Sequence, residues 1–215
     1  MGPGMFPSPI KISLLKALGA EVVIAPHVPP EHPQYYKKIA EKIAEEQNGV
    51  FLNQYANEAN VQAHYETTAV EIWRQTNGRI DAFVMGVGTS GTLMGVGKFL
   101  KEKRKDILVV AVVPKGSALS RGGKLEYIEG LVEELKPALY NPEIVDEIVE
   151  VSAETAKEYM LKALSEGILA GPSTGANLYA SLKKAEELGE GKNIVTIAAD
   201  SIFRYTHLLC ARSNT

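Results

Sequence analysis

The residues predict an α/β protein built on mainly parallel sheets with helices on both faces. Three observations carry this reading. Short apolar runs alternate with amphipathic stretches along nearly the whole chain. The runs Ala82 to Val87 and Ile107 to Val113 are so apolar that both of their faces must be covered, as in parallel sheets. Three polar turns, after Val87, before Ala176 and after Ala198, stand at or near the ends of such runs, where sheets of this class place their ligands.

The elements follow in order. Ile12 to Leu18 reads as a helix stopped by Gly19, and Glu21 to Ala25 as a strand. Pro33 opens a helix whose apolar face is Tyr36, Ile39, Ala40, Ile43 and Ala44, and Gly49 ends it. Val50 to Leu52 is a short strand. Asn60 to Gln75 is a helix closed by Asn77-Gly78. Strand Ala82 to Val87 leads into helix Thr92 to Lys103, and Ile107 to Val113 is the next strand. Pro114 to Ile144 shows no clear period beyond an apolar scatter around Leu131 and Leu135; a connection this long is usually functional or a docking surface. Ile148 to Val151 is a strand, and Ser152 caps a helix that Gly167 stops. Gly171-Pro172-Ser173-Thr174-Gly175 is a second hydroxyl-bearing turn, followed by a helix to Leu188, a buried strand Ile194 to Ala198, and a last helix after Asp200-Ser201. The composition shifts near Asn53 to Asn60. That divides the chain into residues 1–55, the first two βα units, and residues 56–215, the larger remainder.

Composition narrows the function classes. At 215 residues, 45% hydrophobic and 23% charged, the chain can bury a sizeable core. A net charge of −3 gives no broad positive field for nucleic acid. No apolar run is long enough to cross a bilayer, and no basic segment followed by an apolar one opens the chain, which points to a cytoplasmic protein. A single cysteine, Cys210, builds no disulfide framework, and His27, His32, His64 and His207 show no ligand spacing for a metal.

The most informative segment is Gly88-Thr89-Ser90-Gly91-Thr92. A strand that feeds a helix through such a turn leaves backbone N–H groups pointing at one spot, with the helix dipole favouring negative charge there. Glycines let a phosphate approach and hydroxyls add donors. Taken alone, the turn fits a structural role equally well, with Gly91, Gly95 and Gly97 letting the helix pack closely on the sheet. Gly86-Val87-Gly88-Thr89-Ser90-Gly91 also matches the dinucleotide pattern. The next strand, however, ends Val112-Val113-Pro114-Lys115 without the acid that a ribose requires. Lys98 followed by Phe99 fails as a P-loop.

The company of this turn carries a resemblance. The stretch Leu52 to Trp73, the turn Gly88 to Thr92, Glu129-Gly130, Gly167 to Gly171, and Asp200-Ser201 followed by Arg204-Tyr205 resemble cysteine synthase (O-acetylserine sulfhydrylase) and cystathionine β-synthase. These are pyridoxal-phosphate enzymes of the second fold type, the tryptophan synthase β-like fold. The resemblance implies β-replacement on O-acetylserine or another activated serine by sulfide, or by homocysteine in the cystathionine β-synthase reading. A non-catalytic binding or regulatory protein on the same scaffold is the alternative from another class.

The resemblance also implies roles. Gly88, Thr89, Ser90, Gly91 and Thr92 would hold the cofactor phosphate, and Ser201 would meet the pyridine nitrogen. Gly130 would lie in the segment that closes over an amino-acid substrate. The family loop has glycine where this chain has Ser90, a change tolerated if φ is negative there. Ser201 also suits a plain helix N-cap, a role that one hydroxyl is not expected to combine easily with the first, and strand alternation is expected to point Asp200 to the opposite face. A hydroxyl rather than a carboxylate at the ring nitrogen makes a weaker electron sink, which suits β-elimination and β-replacement more than transamination.

The family bonds its cofactor to a lysine in an N-terminal Ser-x-Lys stretch, and no such N-terminal segment occurs here. Met1-Gly2-Pro3-Gly4-Met5 resembles a Met-Pro-x-x-Met stretch well inside the family sequence. The chain is therefore expected to lack about the first third of a family member, through a gene model begun at an internal methionine, a natural truncation or an engineered fragment. Ser8-Pro9-Ile10-Lys11 does not replace that lysine, because it leads into a helix that matches one remote from the cofactor. A catalytic residue is thus not assigned, cofactor affinity is expected to be low, and a homodimer is expected.

Overall fold

The computed structural model describes residues 8–131 and 136–209, in two compact units, Met1–Asn53 and Gln54–Thr215. The Met1 to Met5 stretch, Leu135 and Cys210 lie outside the described residues, as does the side chain of His207.

In the first unit, α1 spans Pro9–Ala17 and α2 spans Tyr36–Glu46. Gly19, at φ 88°, follows α1 as expected. The stop after α2 falls to Asn48, at φ 51°, and not to Gly49. The helix expected from Pro33 begins three residues later, because His32 draws the chain into a turn through its carbonyl, which accepts from the Tyr35 amide, and its Nδ1, which accepts from Gln34. Neither expected strand forms here. Among the described residues, neither Glu21 to Ala25 nor Val50 to Leu52 belongs to a strand ladder, and a strand exists only through its ladder.

The second unit opens with one interrupted helix: α3 (Ala59–Ala63), a π-helical turn (His64–Thr68) and α4 (Ala69–Thr76), closed by Asn77 in the left-handed region. Next come β1 (Ala82–Gly86), α5 (Gly91–Lys103), β2 (Leu108–Pro114), β3 (Glu147–Val151), α6 (Ala153–Ser165), α7 (Pro172–Leu188), β4 (Ile194–Val195), a 3-10 turn (Ile202–Tyr205) and α8 (Thr206–Leu209). The sheet is parallel in the order β3-β2-β1-β4, with Ala82 opposite Leu108 and Ile194, and Val110 opposite Glu147.

Alternation along β1 and β2 sorts the core into two sides. Phe83, Met85, Val109, Ala111 and Val113 face one way, against Ile72 of α4 and Leu93, Met94, Val96 and Leu100 of α5. Val84, Val110 and Val112 face the other, with Val149 and Val151 of β3, Ala156 of α6, and Ala176 and Ala180 of α7. Helices therefore cover both faces, as the apolar runs require.

β4 differs from its expectation in length and burial. Among the described residues it pairs at two positions only and has a single neighbouring strand, and it is half-buried. Side chains then replace its ladder: the Thr196 hydroxyl donates to the Val84 carbonyl at 2.7 Å, and Asn177 donates to the Ile197 carbonyl at 3.2 Å. Gly171 to Gly175 is likewise no separate turn. Gly171 caps α7 and the remaining four residues form its first turn.

Candidate functional site

β1 ends at Gly86, and the chain turns through Val87 to Ser90 into α5 at the carboxyl edge of the sheet. Three glycines make the approach possible. A Cβ on Gly86 would stand 2.5 Å from the Leu131 side chain and 3.0 Å from Asn177 Oδ1. One on Gly88 would stand 2.6 Å from the Gly130 carbonyl oxygen, and one on Gly91 would stand 1.9 Å from Asn60 Oδ1. Gly130 itself, at φ 91°, faces Ser173 in the first turn of α7. The structure thus brings Gly88, Gly130 and the start of α7 together.

Among the described residues, the amides of Gly88, Thr89, Ser90, Thr92 and Leu93 give no bond to a protein carbonyl, whereas Met94 N–H closes the first helical bond on Ser90 at 2.9 Å. The Gly91 amide meets only the Thr89 hydroxyl, at 3.3 Å. These donors are uncharged and clustered at a 13-residue helix's N-terminus, which is the donor set a phosphate group requires.

Ser90 corrects one expectation. Its φ is +75°, not negative, because the entry into α5 needs one left-handed residue. A serine there carries strain of about 1–2 kcal/mol relative to glycine. Its hydroxyl is buried, with no hydrogen-bond partner among the described residues. An orphaned buried oxygen beside unspent amides fits an oxyanion ligand that would take its hydrogen.

A layer of polar side chains, unassigned by sequence reasoning, supports the turn. Asn60 donates from Nδ2 to Thr89 Oγ1 at 2.9 Å and to the Gln54 carbonyl at 2.8 Å. His64 stands with Nε2 at 3.1 Å from Thr92 Oγ1 and Nδ1 at 3.0 Å from Thr68 Oγ1. Burial holds the His64 pKa below the usual imidazole value. Asn60, His64 and Thr68 recur every fourth residue, a polar stripe on one helical face that periodicity alone could have revealed. The glycines of α5 also differ from expectation. Only Gly97 approaches the sheet, at Val109; Gly91 and Gly95 approach α3 and the π-helical turn.

Ser201 lies beside the start of α7, bridged to Ala170, with Ile202 N–H bonded to the Leu169 carbonyl at 3.1 Å. Its Oγ accepts from Phe203 N–H at 3.4 Å, so it caps the 3-10 turn. That bond uses an acceptor lone pair and leaves the hydroxyl hydrogen available, so both roles weighed for Ser201 are compatible. Asp200 is half-buried next to Ser201. It accepts a short hydrogen bond from the Tyr205 hydroxyl, and its Oδ1 is packed on Gly171. Burial first, and then that carboxylate, push the Tyr205 pKa far up. The one literal Ser-x-Lys in the sequence, Ser181-Leu182-Lys183, sits inside α7, where Lys183 pairs with Glu187 at 3.9 Å.

A turn of unspent amides after the first strand of a two-sided parallel sheet, with a serine beside a neighbouring helix start, is the arrangement on which the comparisons bear. The chain matches the family described as pyridoxal-phosphate dependent enzyme over residues 4–200, and it belongs to that family. It is 42% identical over 197 residues to a cysteine synthase of Staphylococcus aureus, covering 90% of this chain and 63% of that protein. It is 37% identical over 204 residues to a cystathionine beta-synthase of Apis mellifera, covering 91% of this chain and 40% of that one. Among solved structures, O-ureido-L-serine synthase superposes with a TM-score of 0.88 at 33% identity, over 97% of this chain and 67% of that one. The chain therefore spans less than two thirds of the length of the cysteine synthases it matches. The fold is that of the second class of pyridoxal-phosphate enzymes.

Proposed function

We propose that this chain holds pyridoxal 5'-phosphate within a cysteine-synthase-like enzyme that replaces the β-substituent of an activated serine, O-acetylserine, with sulfide. The unspent amides of Gly88 to Leu93 carry the reading, and the identity to cysteine synthase supports it. Gly88, Thr89, Ser90, Gly91 and Thr92 would grip the phosphate. Ser201 would donate its hydroxyl hydrogen to the ring nitrogen, which favours an unprotonated ring. Gly130, beside Gly88, would border the amino-acid substrate.

When bound, the cofactor supplies an electron sink for chemistry at the substrate α-carbon. A hydroxyl donor at the ring nitrogen moderates that sink, which suits loss of a β-leaving group. Val84, Met85 and Val112, near the carboxyl ends of β1 and β2 and on both sides of the sheet, are buried, which keeps water out of the strands that lead to the turn. The site as described contains no lysine placed to bond the cofactor, so the proposed share of these residues is to bind and orient. Catalysis by this stretch alone is not expected. The similarity to a cystathionine beta-synthase keeps homocysteine as a second nucleophile. A homodimeric, cytoplasmic protein completes the proposal.

The test is an absorbance titration of the purified chain with pyridoxal 5'-phosphate, followed by borohydride reduction and peptide mapping. Saturable binding competed by inorganic phosphate, without an adduct on one particular lysine, is expected. Absence of binding overturns the reading. Sulfide and homocysteine assays on a longer protein containing this chain separate the two nucleophiles.

A further inference from the structure

We infer that His64 is a positioning residue that turns the single hydroxyl hydrogen of Thr92 toward the bound phosphate. The inference rests on the reading that Gly88 to Thr92 hold a phosphate group.

Thr92 has one hydrogen to give. His64 Nε2, 3.1 Å from Thr92 Oγ1, either takes that hydrogen or offers its own. A neutral imidazole carries one N–H and one bare nitrogen, so the choice at Nε2 is tied to the choice at Nδ1. Nδ1 stands 3.0 Å from Thr68 Oγ1, and a hydroxyl serves either way. Two arrangements are therefore open. In one, Nδ1 donates to Thr68, Nε2 accepts from Thr92, and the loop loses a donor. In the other, Thr68 donates to Nδ1, Nε2–H donates to Thr92, and the Thr92 hydrogen is free to meet an anion. A dianion at the head of α5 favours the second, because a hydrogen bond to a charged acceptor is roughly twice as strong as a neutral one.

The backbone is built to make this contact. Thr92 and Gly95 lie three residues apart on one face of α5. The missing side chain of Gly95 lets that face close on Val61, His64 and Tyr65. The helix facing it leaves α geometry at His64–Thr68, a π-helical turn of the kind often found at functional sites. The Ala69 amide reaches back to the His64 carbonyl.

The experiment compares pyridoxal 5'-phosphate with pyridoxal, which lacks the phosphate, on the whole chain. His64→Phe is expected to weaken binding of the phosphorylated form about tenfold and to leave pyridoxal unchanged. His64→Gln, whose amide still donates to Thr92, is expected to recover most of that loss. Thr68→Val, remote from the turn, is expected to give a smaller loss of the same kind. On unmutated protein, long-range proton–nitrogen NMR is expected to show inorganic phosphate driving His64 to the form protonated on Nε2, with His64→Gln assigning the signal. A His64→Phe protein that keeps its full preference for the phosphorylated form overturns the inference and leaves the phosphate reading intact, as does an imidazole that ignores phosphate while the turn binds it. Wild-type protein that binds both forms equally overturns the phosphate reading, and the inference with it.

Discussion

A methyl group on Gly95 would lie 2.8 Å from Cβ of His64, and 2.4 Å from the Val61 carbonyl oxygen. Glycine at position 95 is thus what allows α5 to rest on the π-helical turn.

Gly95→Ala is expected to destabilise the protein. Forcing that contact costs about 1–3 kcal/mol, which outweighs the roughly 1 kcal/mol that alanine gains over glycine in a helix interior. Urea unfolding measures the fall. Affinity for a phosphate ligand is expected to drop as well, because α5 and His64 must part.

Ser90→Gly is expected to do the reverse. It removes left-handed strain and a buried hydroxyl without a partner, and is expected to raise the stability of the ligand-free protein by about 1 kcal/mol. Ser90→Ala keeps the strain and recovers less. Thermal unfolding with and without inorganic phosphate checks both, and the phosphate-induced rise in melting temperature is expected to shrink in each.

Stability is expected to fall in mild acid through His64. Burial holds its folded-state pKa below the usual value, so the unfolded chain takes up the proton first. The contribution is complete above about pH 6.5, declines as the pH falls below that, and levels off beneath the folded-state pKa. Urea midpoints on either side of that pH test this, with His64→Gln flattening the slope.

Tyr205→Phe is expected to loosen the Ser201 segment. It takes the donor from Asp200, whose other oxygen is already buried with no hydrogen-bond partner among the described residues, at a cost of about 1–3 kcal/mol. Hydrogen exchange of the Ile202 amide, which bonds Leu169, reads the local effect. The raised phenol pKa keeps the Tyr205 donor intact well into the alkaline range.

Much of this architecture was legible in the residues. Val84 and Val110 announced strands covered on both faces, and Gly88 to Thr92 announced an exposed helix start. Gly167 marked the end of α6, where it stands at φ 80°. What failed was non-local. Val23 and Val50 have the composition of strands but join no sheet among the described residues. β4 stops at Val195 because Thr196 and Asn177, the latter from another element, satisfy the carbonyls its ladder would have used.

Local order in the chain was enough to define the parallel α/β scaffold and the anion-seeking turn, since both follow from side-chain alternation and from amides that a helix start cannot satisfy internally. The left-handed Ser90, the Asp200–Tyr205 pair on Gly171, and the contact from His64 to Thr92 were decided only when separate elements packed. Residues 28 apart in sequence meet there, at distances set by the absence of side chains on Gly91 and Gly95. No neighbour-by-neighbour rule reaches that far, because the geometry belongs to two helices and not to either alone.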